Sequence, residues 1–339
     1  MPSAIRSALA SGALMPSLLV AVFFVSVTAL ASLLWGAGPV SAIDALPVLF
    51  GQGTEEARFV VTELRLPRLA TGLVVGLSLA VSGALLQALT RNPLAEPGLL
   101  GVSGGSAFAV AIAILLGASS ATMTTLVAQA GALAGCALVM LATRSRGLAA
   151  DPVRLVLAGA TVTGLLLSLT SVLMLADQRA ADEIRFWITG SIAGTPLSHL
   201  RAVGPSLLVA GVLVVLVASP LAAMSLGERA AMGLGHKPGR IRLLVIVAVA
   251  LLVGGATALA GPLAFIGLVV PFIARALAGP DIRKTLWLCL PIGPGLLLLA
   301  DTMARVVAAP SELPLGVITA LIGAPLLLMI VRSGRMPTL

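Results

Sequence analysis

Charge is scarce in this sequence. Of 339 residues, 10% are charged and 59% hydrophobic, where soluble domains carry about 25% charged residues. Together with a mean hydropathy of +1.12, that balance excludes a water-soluble globule. Cysteine is nearly missing as well. Cys136 and Cys289 both fall within apolar runs, with neither metal-ligand spacing nor a secreted disulfide framework around them. They read as small buried hydrophobes. The two histidines, His199 and His236, have no carboxylate or cysteine at ligand spacing, which argues against a metal centre. No GxxxxGK[ST] occurs, and neither Lys237 nor Lys284 follows a glycine. The chain therefore lacks a P-loop of its own for ATP. A net charge of +8 would suggest nucleic acid in a soluble chain, but basic residues collect in the cytoplasmic loops of membrane proteins.

What the sequence has is long apolar runs. Cutting at charges, prolines and glycines predicts ten spans: 15–35, 68–90, 98–117, 122–143, 154–176, 202–222, 242–260, 264–278, 286–305 and 315–331. Most approach the roughly 20 residues that a 30 Å hydrocarbon core requires. The runs are continuous rather than alternating, which points to helices and away from an outer-membrane barrel. The first run exceeds the 7–15 residues of a signal-peptide core and reads as a retained span. The eighth is short and follows a Gly-Pro break at 261–262, so a tilted or discontinuous helix is expected. The fold class is all-α and polytopic.

Lysine and arginine set the threading. With the N-terminus inside, fourteen basic residues face inward and seven outward, as the positive-inside rule requires. Both termini are then cytoplasmic. Acids crowd the outer loops: Asp44, Glu55, Glu56, Glu63, Asp177, Asp182, Glu183 and Glu312.

One motif occurs twice. PLAEPGLL at 93–100 returns as PLAFIGLV at 262–269, 169 residues downstream. Pro93 and Gly98 in the first copy match Pro262 and Gly267 in the second. The first copy follows span two on the inner side, and the second follows span seven on the outer side. Five intervening spans reverse the direction, the mark of an inverted-topology repeat with halves near 65–176 and 240–331 of a single transmembrane domain. The GVSGGSA segment at 101–107 suits close helix packing through small residues better than a phosphate cradle. Asp301 and Arg305, four apart near the outer end of span nine, share one helix face and can pair. The longest inner loop, MSLGERAAMGLGHKPGRIR at 224–242, predicts a short helix broken by Gly233 and Gly235. It reads either as a solvated basic loop or as a partner-docking element.

These residues resemble a known family, the FecCD-type permeases of ABC importers for iron–siderophores, haem and cobalamin, whose fold is that of the vitamin B12 permease. The matching stretches are RLPR at 65–68, SGALLQALTRNPLAEPGLLGVSGG at 82–105, LGERAAMGLG at 226–235, GPLAFIGLVVP at 261–271, LLLADTMAR at 297–305 and SELPLGVITALIGAP at 311–325. The resemblance covers nearly the whole chain. It implies a type II ABC importer permease with ten spans, paired with a second permease subunit as a homodimer or heterodimer. It also implies two ATPase subunits inside and a periplasmic or lipid-anchored binding protein outside, in the bacterial inner membrane. No cofactor is expected on this chain, with ATP and Mg on the ATPase partners. By the resemblance, Arg65, Arg68 and Arg305 dock carboxylates of the binding protein, as exposed rigid arginines could. Gly227, Glu228, Arg229, Ala230, Gly233 and Gly235 form the loop that couples to the ATPases. Two departures stand out. The family's histidine after VVP is Phe272 here, and the inner gate is Asp151-Pro152-Val153 where small hydroxyl residues are usual. The expected role is the membrane-spanning permease of an ATP-driven importer, not an enzyme. The rival is an ion-coupled transporter working alone, which the lack of deep carboxylates disfavours.

Overall fold

A computed structural model describes residues 14–118, 124–144, 152–176 and 178–332. Ten apolar helices follow in the expected order: α1 Leu14–Leu34, α2 Leu66–Thr90, α3 Val102–Leu115, α4 Thr124–Arg144, α5 Pro152–Met174, α6 Leu197–Ser225, α7 Pro238–Ala260, α8 Ile266–Ala278, α9 Ile282–Val307 and α10 Leu315–Arg332. Seven of the helical runs are long and apolar enough to cross a membrane, and α3, α8 and α10 are the shorter ones. The described residues contain no strand.

Two elements escaped the hydropathy reading. Helix begins at Glu55, not near 68, because Thr54 caps it by accepting from the Ala57 amide and Glu55 and Glu56 sit in its first turn. The run widens to π geometry over Val60–Arg65 before continuing as α2. That widening lies where Pro67 would otherwise clash with the preceding turn. The second missed element is helix Gln178–Thr189, in a stretch read as outer loop. Its Ala181 and Ile184 are buried, and Ile184 packs with Ala111 beneath a rim of Leu115, Leu173 and Met174.

The helices meet through backbone rather than bulk. A Cβ on Gly105 would lie 2.2 Å from the Gly131 carbonyl, and one on Gly135 2.1 Å from that of Gly101. Two small-xxx-small pairs thus lock α3 onto α4, as the 101–107 segment predicted. The same device joins α2 to α9, where Gly76 and Gly293 face each other's carbonyls, and α2 to α8, where a Cβ on Gly83 would fall 1.7 Å from the Gly267 oxygen.

These contacts fix the depth of the two shortest helices. α3 starts beside Gly135, at the midpoint of α4, and α8 starts beside Gly83, about two turns before α2 ends. Each is only about 20 Å long at 1.5 Å per residue, so each covers part of the bilayer. The irregular segments before them therefore dip into the protein and meet. Glu96 Oε1 accepts a hydrogen bond from the Phe265 amide at 3.1 Å, across the repeat's own offset of 169 residues. Phe265 takes the left-handed backbone at φ 71 to make this turn. The segments carrying the two motif copies therefore touch, at a half-buried contact.

Candidate functional site

At one edge of the bundle, α1 ends with carbonyls that lack helical partners. Two arginines take them. Arg65 donates from Nη1 to the Leu33 and Leu34 oxygens at 2.9 and 2.8 Å, and from Nη2 to Val40 at 2.9 Å. Arg305 donates to the Ser32 and Trp35 carbonyls at 3.1 and 2.8 Å, and to the Ser32 hydroxyl. Cations at a helix C-terminus also match its dipole. Asp301, wholly buried, pairs with Arg305 at 3.0 Å, as the four-residue spacing predicted. It takes Arg68 as well, at 2.7 Å. Arg68 then reaches Glu312 through both carboxylate oxygens at 3.0 and 2.9 Å.

The expectation of three exposed arginines needs correcting. Arg65 and Arg305 are buried at 4% and 2% exposure, because they fasten α1 to α2 and α9. Only Arg68, with 11% of its side chain open beside the 34% of Glu312, reaches solvent. The spacing of Asp301 and Arg305 showed one link of this network. The Arg68 links and those from Arg305 to α1 join residues more than two hundred positions apart, and Arg65 reaches backbone carbonyls 25 to 32 positions back, which no local pattern displays.

At the opposite face, Gly227 (φ 108) and Gly235 (φ 83) bracket the short helix Glu228–Gly233. Both need the left-handed region that glycine adopts without strain. Ala231 is buried and anchors the loop, and Glu228 pairs with Arg242 on α7. The remaining residues face out. Leu226, Met232 and Leu234 are 74%, 53% and 63% exposed, beside exposed Arg229 and Ala230. These residues make a small apolar surface on an exposed loop, a feature common at interaction sites. Gly233 stands in open space, with nothing within 4 Å of an added Cβ.

Of the remaining motif residues, Pro93, Gly98 and Pro262 are half-buried, and Gly267 is buried against Leu79 and Pro97. Asp151 lies outside the described residues, and Pro152 and Val153 open α5. Cys136 and Cys289 are free and buried, as expected. Among the described residues no cluster of His, Cys, Asp or Glu could hold a metal ion.

This architecture is that of a multi-span permease, with two half-length helices and an exposed apolar loop at one face. The chain belongs to the FecCD transport family, whose profile matches residues 22–333. It is 42% identical over 302 residues to the ferric enterobactin transport system permease protein FepD of Escherichia coli K12, covering 89% of this chain and 90% of that protein. It is 36% identical over 300 residues to the Fe(3+)-citrate import system permease protein YfmD of Bacillus subtilis 168, covering 88% and 89%. A metal-chelate type ABC transporter solved in an inward-facing conformation superposes with a TM-score of 0.76 at 31% identity, over 93% of this chain and 98% of that one. The chain is thus a multi-pass ABC-transporter permease. The buried, doubly paired Asp301 agrees, since it offers no free carboxylate for ion coupling.

Proposed function

We propose that this chain moves a ferric siderophore, or a related chelate such as haem or cobalamin, across the bacterial inner membrane. Similarity to permeases named for ferric enterobactin and ferric citrate carries the substrate class. The chain acts as one transmembrane unit of two inverted halves, 65–176 and 240–331, with both termini cytoplasmic. It pairs with a second permease subunit, and the chelate passes between them. Two ATPase subunits holding ATP and Mg seat on the 226–235 loops, where Leu226, Met232 and Leu234 supply the apolar contact. Their closure rocks the helix bundles between two packings, so no side chain need react. This chain itself binds no cofactor. An outer binding protein docks where Arg68 meets Glu312. A carboxylate on that protein competes with Glu312 for the guanidinium, while Arg65 and Arg305 hold the site in place from behind. Asp151, Pro152 and Val153 are assigned to the inner gate by the family resemblance, with Pro152 and Val153 opening α5.

The test is uptake in cells stripped of their own iron-chelate permeases and given this chain with its ATPase and binding protein. Labelled ferric chelate should accumulate, and Arg68→Ala should weaken capture of the binding protein by about 2 kcal/mol, roughly thirtyfold in Kd. A correctly inserted complex that accumulates no metal chelate would overturn the substrate class.

A further inference from the structure

Where α2 and α6 end and α9 begins, at the face carrying the 226–235 loop, lies a cavity of about 470 Å³. Arg91, Arg275 and Arg283 line it with Ser225 and Thr285, against one acid, Asp281. Arg275 is the unusual member. It sits in α8 at 4% exposure, donates from Nη2 to the Gln87 side chain at 2.6 Å, and pairs with no carboxylate among the described residues. Its Nε is buried without a hydrogen-bond partner. A buried guanidinium left this way is costly unless an anion joins it. Arg91 spends Nη2 on the Met224 carbonyl at 2.6 Å, and Arg283 is held by Asp281 at 3.1 and 3.0 Å. Three guanidinium groups against one carboxylate leave two positive charges to be balanced.

The cavity does not stand alone. Arg283 also closes one end of an apolar groove of about 800 Å³ between α2, α6, α7 and α9, lined by Leu77, Leu208, Gly211, Val215, Leu286 and Trp287 among others. Leu208 and Val215 are 74% and 76% exposed along it. Trp287, 59% exposed, lies one turn from Arg283, the depth at which tryptophan favours the membrane interface. From Leu200 to Ser219 the groove runs about 28 Å along α6, and its part from Gly211 to Ser219, beside the cavity, covers about 12 Å, near the depth of one leaflet's hydrocarbon.

We propose that this groove and cavity together form a binding site for an anionic glycerophospholipid of the leaflet on the loop side, with phosphate among Arg91, Arg275 and Arg283 and acyl chain along α6. Charge surplus and apolar channel meet at a single residue, which fits a molecule with both properties. Basic pockets between spans hold anionic headgroups in this manner.

The test uses the full-length chain in nanodiscs of equal phosphatidylglycerol and phosphatidylcholine, followed by native mass spectrometry of retained lipid. Phosphatidylglycerol should be enriched. Arg91→Gln and Arg283→Gln, both at the surface, should each cut that enrichment about fivefold. Gly211→Trp, placed where an added Cβ meets nothing within 4 Å, should remove the lipid without touching an arginine. Equal retention of both lipids, or enrichment unchanged in all three variants, overturns the proposal. So does an arginine-dependent adduct formed by inorganic phosphate alone and kept by Gly211→Trp, which would make this a free-phosphate site. Loss of ATPase-subunit binding in the arginine variants with lipid retention intact would assign the charges to a protein partner, and also overturns it.

Discussion

Asp301 shows how much one residue can hold. It is fully buried and answers both Arg68 and Arg305, which in turn reach Glu312 and the end of α1. Replacing it with Asn leaves Arg305 buried without a carboxylate and Arg68 with Glu312 alone, and breaking a buried pair costs about 3–5 kcal/mol. Asp301→Asn is therefore expected to lower the melting temperature of the detergent-purified protein sharply. Glu312→Gln, at the solvent edge, should barely shift it. An unchanged midpoint in Asp301→Asn would show that the network adds nothing to stability. Sequence spacing disclosed the Asp301–Arg305 pair because four residues make one helical turn. It could not disclose Arg68, 233 positions away, nor that Arg65 caps carbonyls, since a backbone acceptor leaves no trace in residue type.

For the elements, hydropathy was a good guide wherever lipid or core surrounds a helix on all sides. All ten apolar helices were legible for that reason, and so was the small-residue packing of α3. Helix Gln178–Thr189 was not, because it buries only one stripe and shows polar residues elsewhere. The depth of α3 and α8 was also hidden. It depends on which glycine meets which carbonyl in another helix, a matter of three-dimensional register. Those contacts make a sharp contrast between glycines. Gly105→Ala, with its Cβ 2.2 Å from the Gly131 oxygen, should push α3 off α4 and reduce the folded yield, whereas Gly164→Ala in α5 meets nothing within 4 Å. Overpacking of this kind costs about 1–3 kcal/mol. Thermal stability of the two purified variants decides it, and equal stability would mean that the helices are not in backbone contact. At the meeting of the repeats, Glu96→Ala leaves the Phe265 amide unbonded in a half-buried turn, a loss of about 1–3 kcal/mol. Glu96→Gln keeps an acceptor and should behave more like the parent chain in the same melt.

On the scale of the whole molecule, two faces with different chemistry are joined by backbone packing. One carries the Arg68–Glu312 pair, and the other an apolar loop whose glycines are bound by geometry rather than by contact. The repeated motif is the basis for proposing two oppositely threaded halves. The copies meet at one hydrogen bond, Glu96 on the Phe265 amide. The proposed function rests on force entering at the 226–235 loop, and Gly233 isolates that claim because an added Cβ there meets nothing within 4 Å. The decisive measurement is uptake of ferric chelate by proteoliposomes holding the assembled transporter, with and without ATP, for the parent and Gly233→Trp. Uptake should require ATP, and the variant should assemble normally yet transport at least tenfold more slowly, a coupling loss of about 1.4 kcal/mol or more. Uptake sustained by an ion gradient without ATP, or undiminished transport in Gly233→Trp, would contradict it.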